Sequence, residues 1–145
     1  MKRLFILGTL LFTSQAFASW DMNQNGVALE PSTNDISSMA ILEYSVEENQ
    51  YYVSFMDTMQ LNSNTNCSRS DSVWEINGQL VNVSSMCDRG ASRFYGSSDK
   101  GREFILNQFK TKNSVKVGNT TYSAMGFTAA LKKIKQRKEM EKSAL

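Results

Sequence analysis

The sequence contains no histidine, one proline and only two cysteines among its 145 residues. The lack of histidine excludes Ser-His-Asp and Cys-His catalysis, and it excludes every metal site that needs an imidazole ligand. Hydrophobic residues nevertheless make up 41% of the chain, which is too many for a wholly disordered protein. The length corresponds to one folded domain.

The first 18 residues have the layout of a secretory signal peptide. A positive head at residues 2–3 precedes nine uncharged, mostly apolar residues at 4–12, and Ala16 and Ala18 are the small residues that precede a cut. We therefore expect cleavage after Ala18 and export to the bacterial periplasm or beyond the cell. A membrane anchor is the less favoured alternative, because a spanning helix needs about 20 apolar residues and polar residues follow the apolar run.

The mature chain is uneven in charge. Residues 19–131, which we expect to form a single β-rich domain, carry 8 basic and 12 acidic groups, whereas residues 132–145 carry 6 basic and 2 acidic groups. Because the domain has no overall positive field, nucleic acid is not an expected partner. We expect the basic tail to be helical or frayed, and its contact with an anionic membrane is the less favoured alternative.

An Asn-Gly pair at 77–78 is the strongest hairpin signal, because both residue types tolerate the positive φ of a tight turn. With this pair as the loop, Trp74 faces Val81, and the large apolar residues of both strands share one face. The same register brings Cys67 within one residue of Cys87 at the base of the hairpin. Two cysteines in an oxidising compartment allow one intramolecular pairing, so we predict a structural disulfide.

The remaining pattern predicts about seven short strands and two helices. Alternation and turn signals place the strands at 39–46, 51–56, within the hairpin 72–84, and at 92–95, 114–117 and 121–125. One helix is predicted at 99–110 with Ser98 or Asp99 as its cap, and a second from Phe127 with Thr128 as its cap. The expected fold class is mainly β: an antiparallel β-sandwich or partly open barrel with two helices in the C-terminal half.

The most distinctive stretch runs from residue 101 to residue 133. A helix ends in a basic and polar turn, a Val-x-Val strand follows at 115–117, and a Gly-Phe-Thr-Ala-Ala-Leu sequence at 126–131 starts the last helix. This segment resembles the C-terminal half of the invasion-associated locus B family of bacterial exported proteins, and a similar segment occurs in periplasmic proteins associated with type VI secretion. The resemblance implies a β-sandwich domain without established enzymatic activity, and it brings no catalytic residues.

No motif supplies catalytic chemistry on its own. Ser97 and Lys100 match the Ser-x-x-Lys pattern of penicillin-recognising enzymes, but the companion Lys-Thr-Gly is missing, and helix capping explains the serines. Carboxylates such as Glu43 and Glu75 lie in predicted strands without forming a recognisable pair. We therefore expect a protein that is not an enzyme, with no catalytic residue, no metal and no cofactor.

Four aromatic residues exceed what one sheet face needs for burial: Tyr51, Tyr52, Phe94 and Tyr95. Tyrosine is enriched at binding surfaces, so these residues are candidates for contact with a protein partner, and packing in the core or at sheet edges is the alternative. The favoured function is an exported, non-enzymatic protein that binds another protein in the periplasm or at the cell surface. An inhibitor or immunity protein against a cell-wall hydrolase is the alternative, supported by the acidic domain. A hydrolase that uses carboxylates alone is a third hypothesis.

Overall fold

The computed structural model describes residues 20–60, 67–88 and 90–144. The predicted signal peptide at 1–18 and the polar segment at 62–66 lie outside the described residues. The described residues contain two helices, α1 (Asp99–Thr111) and α2 (Phe127–Lys142), together with a 3-10 turn at Thr58–Gln60. The described strands are β1 (Asp21–Met22), β2 (Ala28–Pro31), β3 (Ser38–Ser45), β4 (Gln50–Asp57), β5 (Asp71–Ile76), β6 (Gln79–Asp88), β7 (Ala91–Gly96), β8 (Ser114–Val117) and β9 (Thr120–Ser123).

The strands form one antiparallel sheet in the order β1-β2-β3-β4-β7-β6-β5-β8-β9. The sheet curls, because Ser32, directly after β2, forms an antiparallel bridge with Tyr122 of β9. The neighbouring Thr33 donates its backbone N–H to the Thr121 carbonyl over 2.8 Å. The two ends of the sheet therefore approach each other without closing. The predicted fold class is confirmed: the chain is mainly β, antiparallel and unclosed, with both helices in its C-terminal half.

The β5–β6 hairpin has the predicted register. Trp74 lies opposite Val81, and the turn residues Asn77 and Gly78 have φ angles of 48° and 83°. A disulfide joins Cys67 to Cys87 at the base of the hairpin, with the two Cα atoms 5.5 Å apart. The turn chemistry and the alternation of apolar residues thus specify the same pairing, as a half-buried hairpin requires.

The core lies between the inner face of the sheet and the two helices. The helices bury Ile105 and Phe109 from α1, and Phe127, Ala130, Leu131 and Ile134 from α2. Trp20 packs edge-on against two of these residues, with ring centroids 5.1 Å from Phe109 and 4.8 Å from Phe127. A tryptophan immediately before β1 therefore ties the start of the described chain to both helices.

The two helices begin differently. The Ser98 hydroxyl accepts a hydrogen bond from the Gly101 backbone over 3.1 Å, so the predicted Ser98 cap of α1 is confirmed. The predicted Thr128 cap of α2 is wrong, because Gly126 occupies the capping position with φ 83° and no side chain caps the helix. Glycine adopts this left-handed conformation at little steric cost, and the chain enters α2 through it.

Helix α2 continues well past residue 131. Ile134 is fully buried, and the polar face beyond it carries an ion pair between Arg137 and Glu141 at 2.7 Å. Lys138 also donates to the Asn25 carbonyl over 2.8 Å. The basic segment is thus helical to Lys142 and contacts the loop between β1 and β2.

The sequence pattern did not predict β1 and β2, which bring the number of described strands to nine. Strand β1 has only two residues, and β2 has four. Within β2, Glu30 is buried at 4% exposure beside Ala28 on the inner face, so the apolar alternation that marks a strand is interrupted. A buried carboxylate in so short a strand is outside the usual pattern.

Candidate functional site

A cavity of about 390 Å³ lies against the inner face of the sheet, next to the β8–β9 turn. Four rings line it: Phe55, Trp74, Phe94 and Tyr122. We call this site the aromatic cleft. Strand pairing assembles it, because Phe55 on β4 lies directly opposite Phe94 on β7, while Trp74 and Tyr122 come from β5 and β9.

The rings form a buried floor and a more accessible rim. Phe55 and Tyr122 are 2% and 1% exposed, and their ring centroids are 5.3 Å apart. Trp74 and Phe94 are half-buried, with centroids 4.6 Å apart. Aromatic side chains at these distances stabilise each other. The cleft therefore presents two partly exposed aromatic faces above a fixed aromatic floor.

The cleft is open because the β8–β9 hairpin pairs with only the end of β5. The one residue pair between β5 and β8 joins Ile76 to Val117. Beyond that pair, the chain turns back at Gly118, whose N–H donates to the Glu75 carbonyl over 2.9 Å. Among the residues that the structure describes, no strand covers the same side of β5 earlier along its length. This stretch of β5 edge forms one wall of the cleft.

Three polar side chains that line the cleft, those of Ser38, Asp57 and Tyr122, form hydrogen bonds. The Tyr122 hydroxyl is hydrogen-bonded to the Ser38 hydroxyl. Burial raises the pKa of Tyr122, although the Ser38 hydrogen bond acts in the opposite direction. The phenol is therefore neutral at physiological pH and does not activate Ser38 as a general base would. Asp57, near the rim, accepts a hydrogen bond from the Met59 backbone over 3.0 Å.

The four aromatic residues proposed from the sequence do not share one surface. Phe94 lines the cleft. Tyr51 packs against Tyr44, with centroids 4.9 Å apart, and donates to the Leu131 carbonyl of α2 over 3.1 Å. Tyr52, which follows Tyr51, and Tyr95, which follows Phe94, point to the opposite face of the sheet, as period-two alternation requires. Partner contact by these four residues stays a prediction: a partner at the cleft would contact Phe94, and a partner on the opposite face would contact Tyr52 and Tyr95.

The sequence pattern predicts that Trp74 lies on the apolar face of the hairpin. It does not predict that Trp74, Phe55 and Tyr122 line a common site. The alternation around the Asn-Gly turn does show which face Trp74 occupies. No local signal shows that the β8–β9 hairpin leaves Trp74 uncovered, because that depends on how strands distant in sequence are staggered. The cleft is therefore a property of the sheet rather than of any one segment.

On the opposite face of the sheet, Arg93 forms a polar cluster. Its guanidinium is paired with Glu43, donates to the Ser54 hydroxyl over 2.7 Å and lies 3.6 Å from Asp88. These contacts satisfy a largely buried cation and hold β3, β4 and β7 together. Lys100 of the Ser-x-x-Lys segment is exposed.

Within residues 20–60, 67–88 and 90–144, no group of three histidine, cysteine, aspartate or glutamate side chains is arranged to hold a metal ion. No helix in the described part of the chain is both long and apolar enough to cross a membrane.

Family models, curated proteins and solved structures were all compared with this chain, and none of them matches it.

Proposed function

We propose that this chain is an exported, non-enzymatic protein that binds another protein in the periplasm or at the cell surface, and that the partner docks at the aromatic cleft. The observation that carries the proposal is the half-buried pair of Trp74 and Phe94 above the cleft. Aromatic residues are enriched at protein interfaces, and tryptophan is enriched among the residues that contribute most of the binding energy. Such residues cluster in well-packed pockets.

Apolar side chains beside the cleft support the same proposal. Ile36 and Met59 are 98% and 79% exposed. Their segments lie side by side, because the Thr58 backbone N–H donates to the Ser37 carbonyl over 2.6 Å, and Ser38 and Asp57 continue those segments into the cleft wall. Exposed apolar residues grouped around a pocket are typical of an interaction surface.

Export is part of this proposal. The disulfide between Cys67 and Cys87 supports it, because such bridges persist in oxidising compartments. The signal-peptide layout of residues 1–18 and the resemblance of residues 101–133 to the invasion-associated locus B family also support it. We also propose that this chain is a member of that family.

The test is affinity capture with the oxidised mature protein, residues 19–145, as bait in bacterial envelope and secreted fractions. Mass spectrometry identifies the bound proteins, and the same capture is repeated with Trp74→Ala and with Tyr95→Ala. We expect a specific partner that wild type and Tyr95→Ala enrich and that Trp74→Ala does not. Near-ultraviolet circular dichroism establishes that each bait is folded.

Four results would change the account. A partner that Trp74→Ala still enriches would remove the cleft from the interface, and loss through Tyr95→Ala alone would place the interface on the opposite face. A captured cell-wall hydrolase whose activity the bait protein inhibits would assign the inhibitor function. Failure of wild type to enrich any protein over an unrelated disulfide-bonded bait would contradict the binding function itself.

A further inference from the structure

We propose that the partner contributes an extended segment, which adds to the open edge of β5 as one more strand. This segment carries basic side chains opposite Asp71 and Glu75 and an apolar side chain that enters the aromatic cleft. The inference rests on the proposed function, since it specifies the part of the partner that the cleft binds.

The backbone of β5 offers hydrogen-bonding groups at this edge. The Glu75 carbonyl accepts from the Gly118 N–H over 2.9 Å, and the Asn77 N–H donates to the Lys116 carbonyl over 2.9 Å, so both residues direct their backbone groups away from β6. Backbone direction alternates along a strand, so Val73 points to the same side as Glu75. No strand among the described residues pairs with β5 at Val73 on that side. An added strand could therefore form hydrogen bonds with the backbone N–H and the backbone carbonyl of Val73.

The edge lacks three of the features that usually prevent strand addition. Free edges in natural sheets are blunted by charged side chains, above all lysine, and by proline or a bulge. Strand β5 contains neither lysine nor proline, and it pairs with β6 residue for residue. Val73, in its middle, is 58% exposed. Addition of a strand to such an edge is a recurring way of binding peptides, in which the backbone supplies affinity and side-chain pockets supply specificity.

The charges along β5 define the chemistry of the added segment. The side chains of Asp71, Val73 and Glu75 alternate with that of Trp74, so they share one face of β5, and all three residues are exposed. Val73 and Glu75 also belong to the strand edge that forms the cleft wall. Neither carboxylate forms an ion pair with a residue that the structure describes, and Asp71 accepts a hydrogen bond from the Ser84 hydroxyl over 2.5 Å. Side chains directly opposite on neighbouring strands lie about 5 Å apart, so lysine or arginine is favoured opposite both carboxylates and acidic residues are disfavoured.

The same charges argue against a second copy of this chain as the occupant. Antiparallel pairing of two β5 strands about Val73 would place Asp71 of each copy opposite Glu75 of the other. This arrangement sets like charges opposite each other, which destabilises strand pairing. The segment therefore belongs to a different protein, with alternating basic and apolar residues.

The inward side of the added strand faces the cleft. Along β5, Ser72 and Trp74 alternate with the exposed residues and point to the inner side, where Trp74 lines the cavity of about 390 Å³. A neighbouring strand would place one side chain beside Trp74, above Phe94. An apolar side chain there covers the two partly exposed rings and loses its own contact with water, which is favourable.

Two pools of synthetic heptapeptides, acetylated and amidated at their ends, test the inference. Both pools have valine at position 4 and varied apolar or hydroxyl residues at positions 3 and 5. One pool has lysine at positions 2 and 6, the spacing that matches Asp71 and Glu75, and the other has glutamate there. We expect the lysine pool to bind the oxidised mature protein about tenfold more tightly than the glutamate pool, as two reversed cross-strand pairs imply.

Charge exchange on the protein sharpens the test. In the double variant Asp71→Lys, Glu75→Lys, the preference should reverse to the glutamate pool. The matched variant Glu47→Lys, Glu48→Lys makes the same charge change in the β3–β4 turn, at two exposed residues, and should keep the preference for lysine. In wild type, hydrogen exchange at the Val73 amide should slow when the lysine pool binds.

Equal binding of both pools, an unchanged preference in the β5 variant or unaltered exchange at Val73 would each overturn the inference. If captured proteins still depend on Trp74 while the pools show no preference, strand addition is wrong and the proposed function stands. If neither proteins nor peptides bind, both are wrong.

Discussion

The backbone N–H of Trp20 donates a hydrogen bond to the Glu30 carboxylate, 2.8 Å away, and both residues are only 4% exposed. The indole of the same tryptophan donates to the Ser123 carbonyl over 3.0 Å. Trp20 also has a φ of 72°, which is unusual for a bulky residue. Two hydrogen bonds and a fully packed ring thus hold the start of the described chain against β2 and β9.

This anchoring predicts a large loss of stability in Trp20→Ala. Removing a buried tryptophan costs about 3–5 kcal/mol in free energy of unfolding, through lost transfer energy and the cavity that remains. Urea denaturation measures the change, with Ile36→Ala as the control, because Ile36 is 98% exposed. A Trp20→Ala effect no larger than that of Ile36→Ala would contradict the packing described here.

The disulfide predicts a redox-dependent stability. Cys67 and Cys87 are 20 residues apart in sequence, and closing a loop of that size stabilises a fold by about 3 kcal/mol in the chain-entropy account. The double variant Cys67→Ser, Cys87→Ser should lose about this amount of unfolding free energy. Added reductant should lower the thermal midpoint of wild type and leave that of the double variant unchanged. Equal sensitivity of both proteins to reductant would contradict the prediction.

Two glycines in the β7–α1 region predict different losses of stability on substitution by alanine. A Cβ at Gly96 would lie 2.7 Å from the Arg102 backbone nitrogen and 2.8 Å from the Gly101 carbonyl carbon. Because backbone atoms cannot move aside cheaply, Gly96→Ala should cost about 1–3 kcal/mol.

Gly101→Ala is the matched control for that substitution. Its Cβ would lie 3.3 Å from the Ser98 hydroxyl oxygen, and the position is helical, where alanine is favoured over glycine by about 1 kcal/mol. We expect its unfolding free energy to stay within about 1 kcal/mol of wild type. If both variants are equally stable, helix α1 does not pack on β7 as closely as described.

Tyr122 predicts a loss of stability at alkaline pH. Burial raises the pKa of its phenol in the folded state, whereas the unfolded phenol ionises near pH 10. Stability from the neutral phenol is therefore fully present below about pH 10 and is lost as the pH rises toward the folded pKa. Urea unfolding from pH 8 to 11.5 should show a shallower decline in Tyr122→Phe than in wild type. Identical slopes would contradict this account.

The parts of the fold that follow from local chemistry were predictable from the sequence. The Asn-Gly turn at 77–78 and the alternation on both sides of it determine one register, and the disulfide follows from that register. Ser98 was identifiable as a cap because a hydroxyl at that position satisfies a free backbone N–H of α1.

Other parts depend on contacts between segments distant in sequence. Strand β2 contains a buried carboxylate, so its pattern does not resemble a strand. Helix α2 begins directly after Gly126, which occupies the capping position in a left-handed backbone conformation, so Thr128 does not cap the helix. The aromatic cleft depends on where the β8–β9 hairpin turns relative to β5, and strand stagger of this kind has no local signature.

The most direct test of the central claim, that a partner binds at the open edge of β5 beside the aromatic cleft, is the affinity of Val73→Pro for the lysine peptide pool. Proline removes the Val73 N–H, which points away from β6, so the hairpin ladder keeps its hydrogen bonds. Leu80→Pro is the control, because Leu80 lies opposite Glu75 in β6 and its N–H also points out of the hairpin, away from the cleft.

We predict that Val73→Pro weakens binding about tenfold while Leu80→Pro binds as wild type does, because one backbone hydrogen bond and its alignment are lost. Circular dichroism should show both variants folded. Wild-type affinity in a folded Val73→Pro variant would contradict the account.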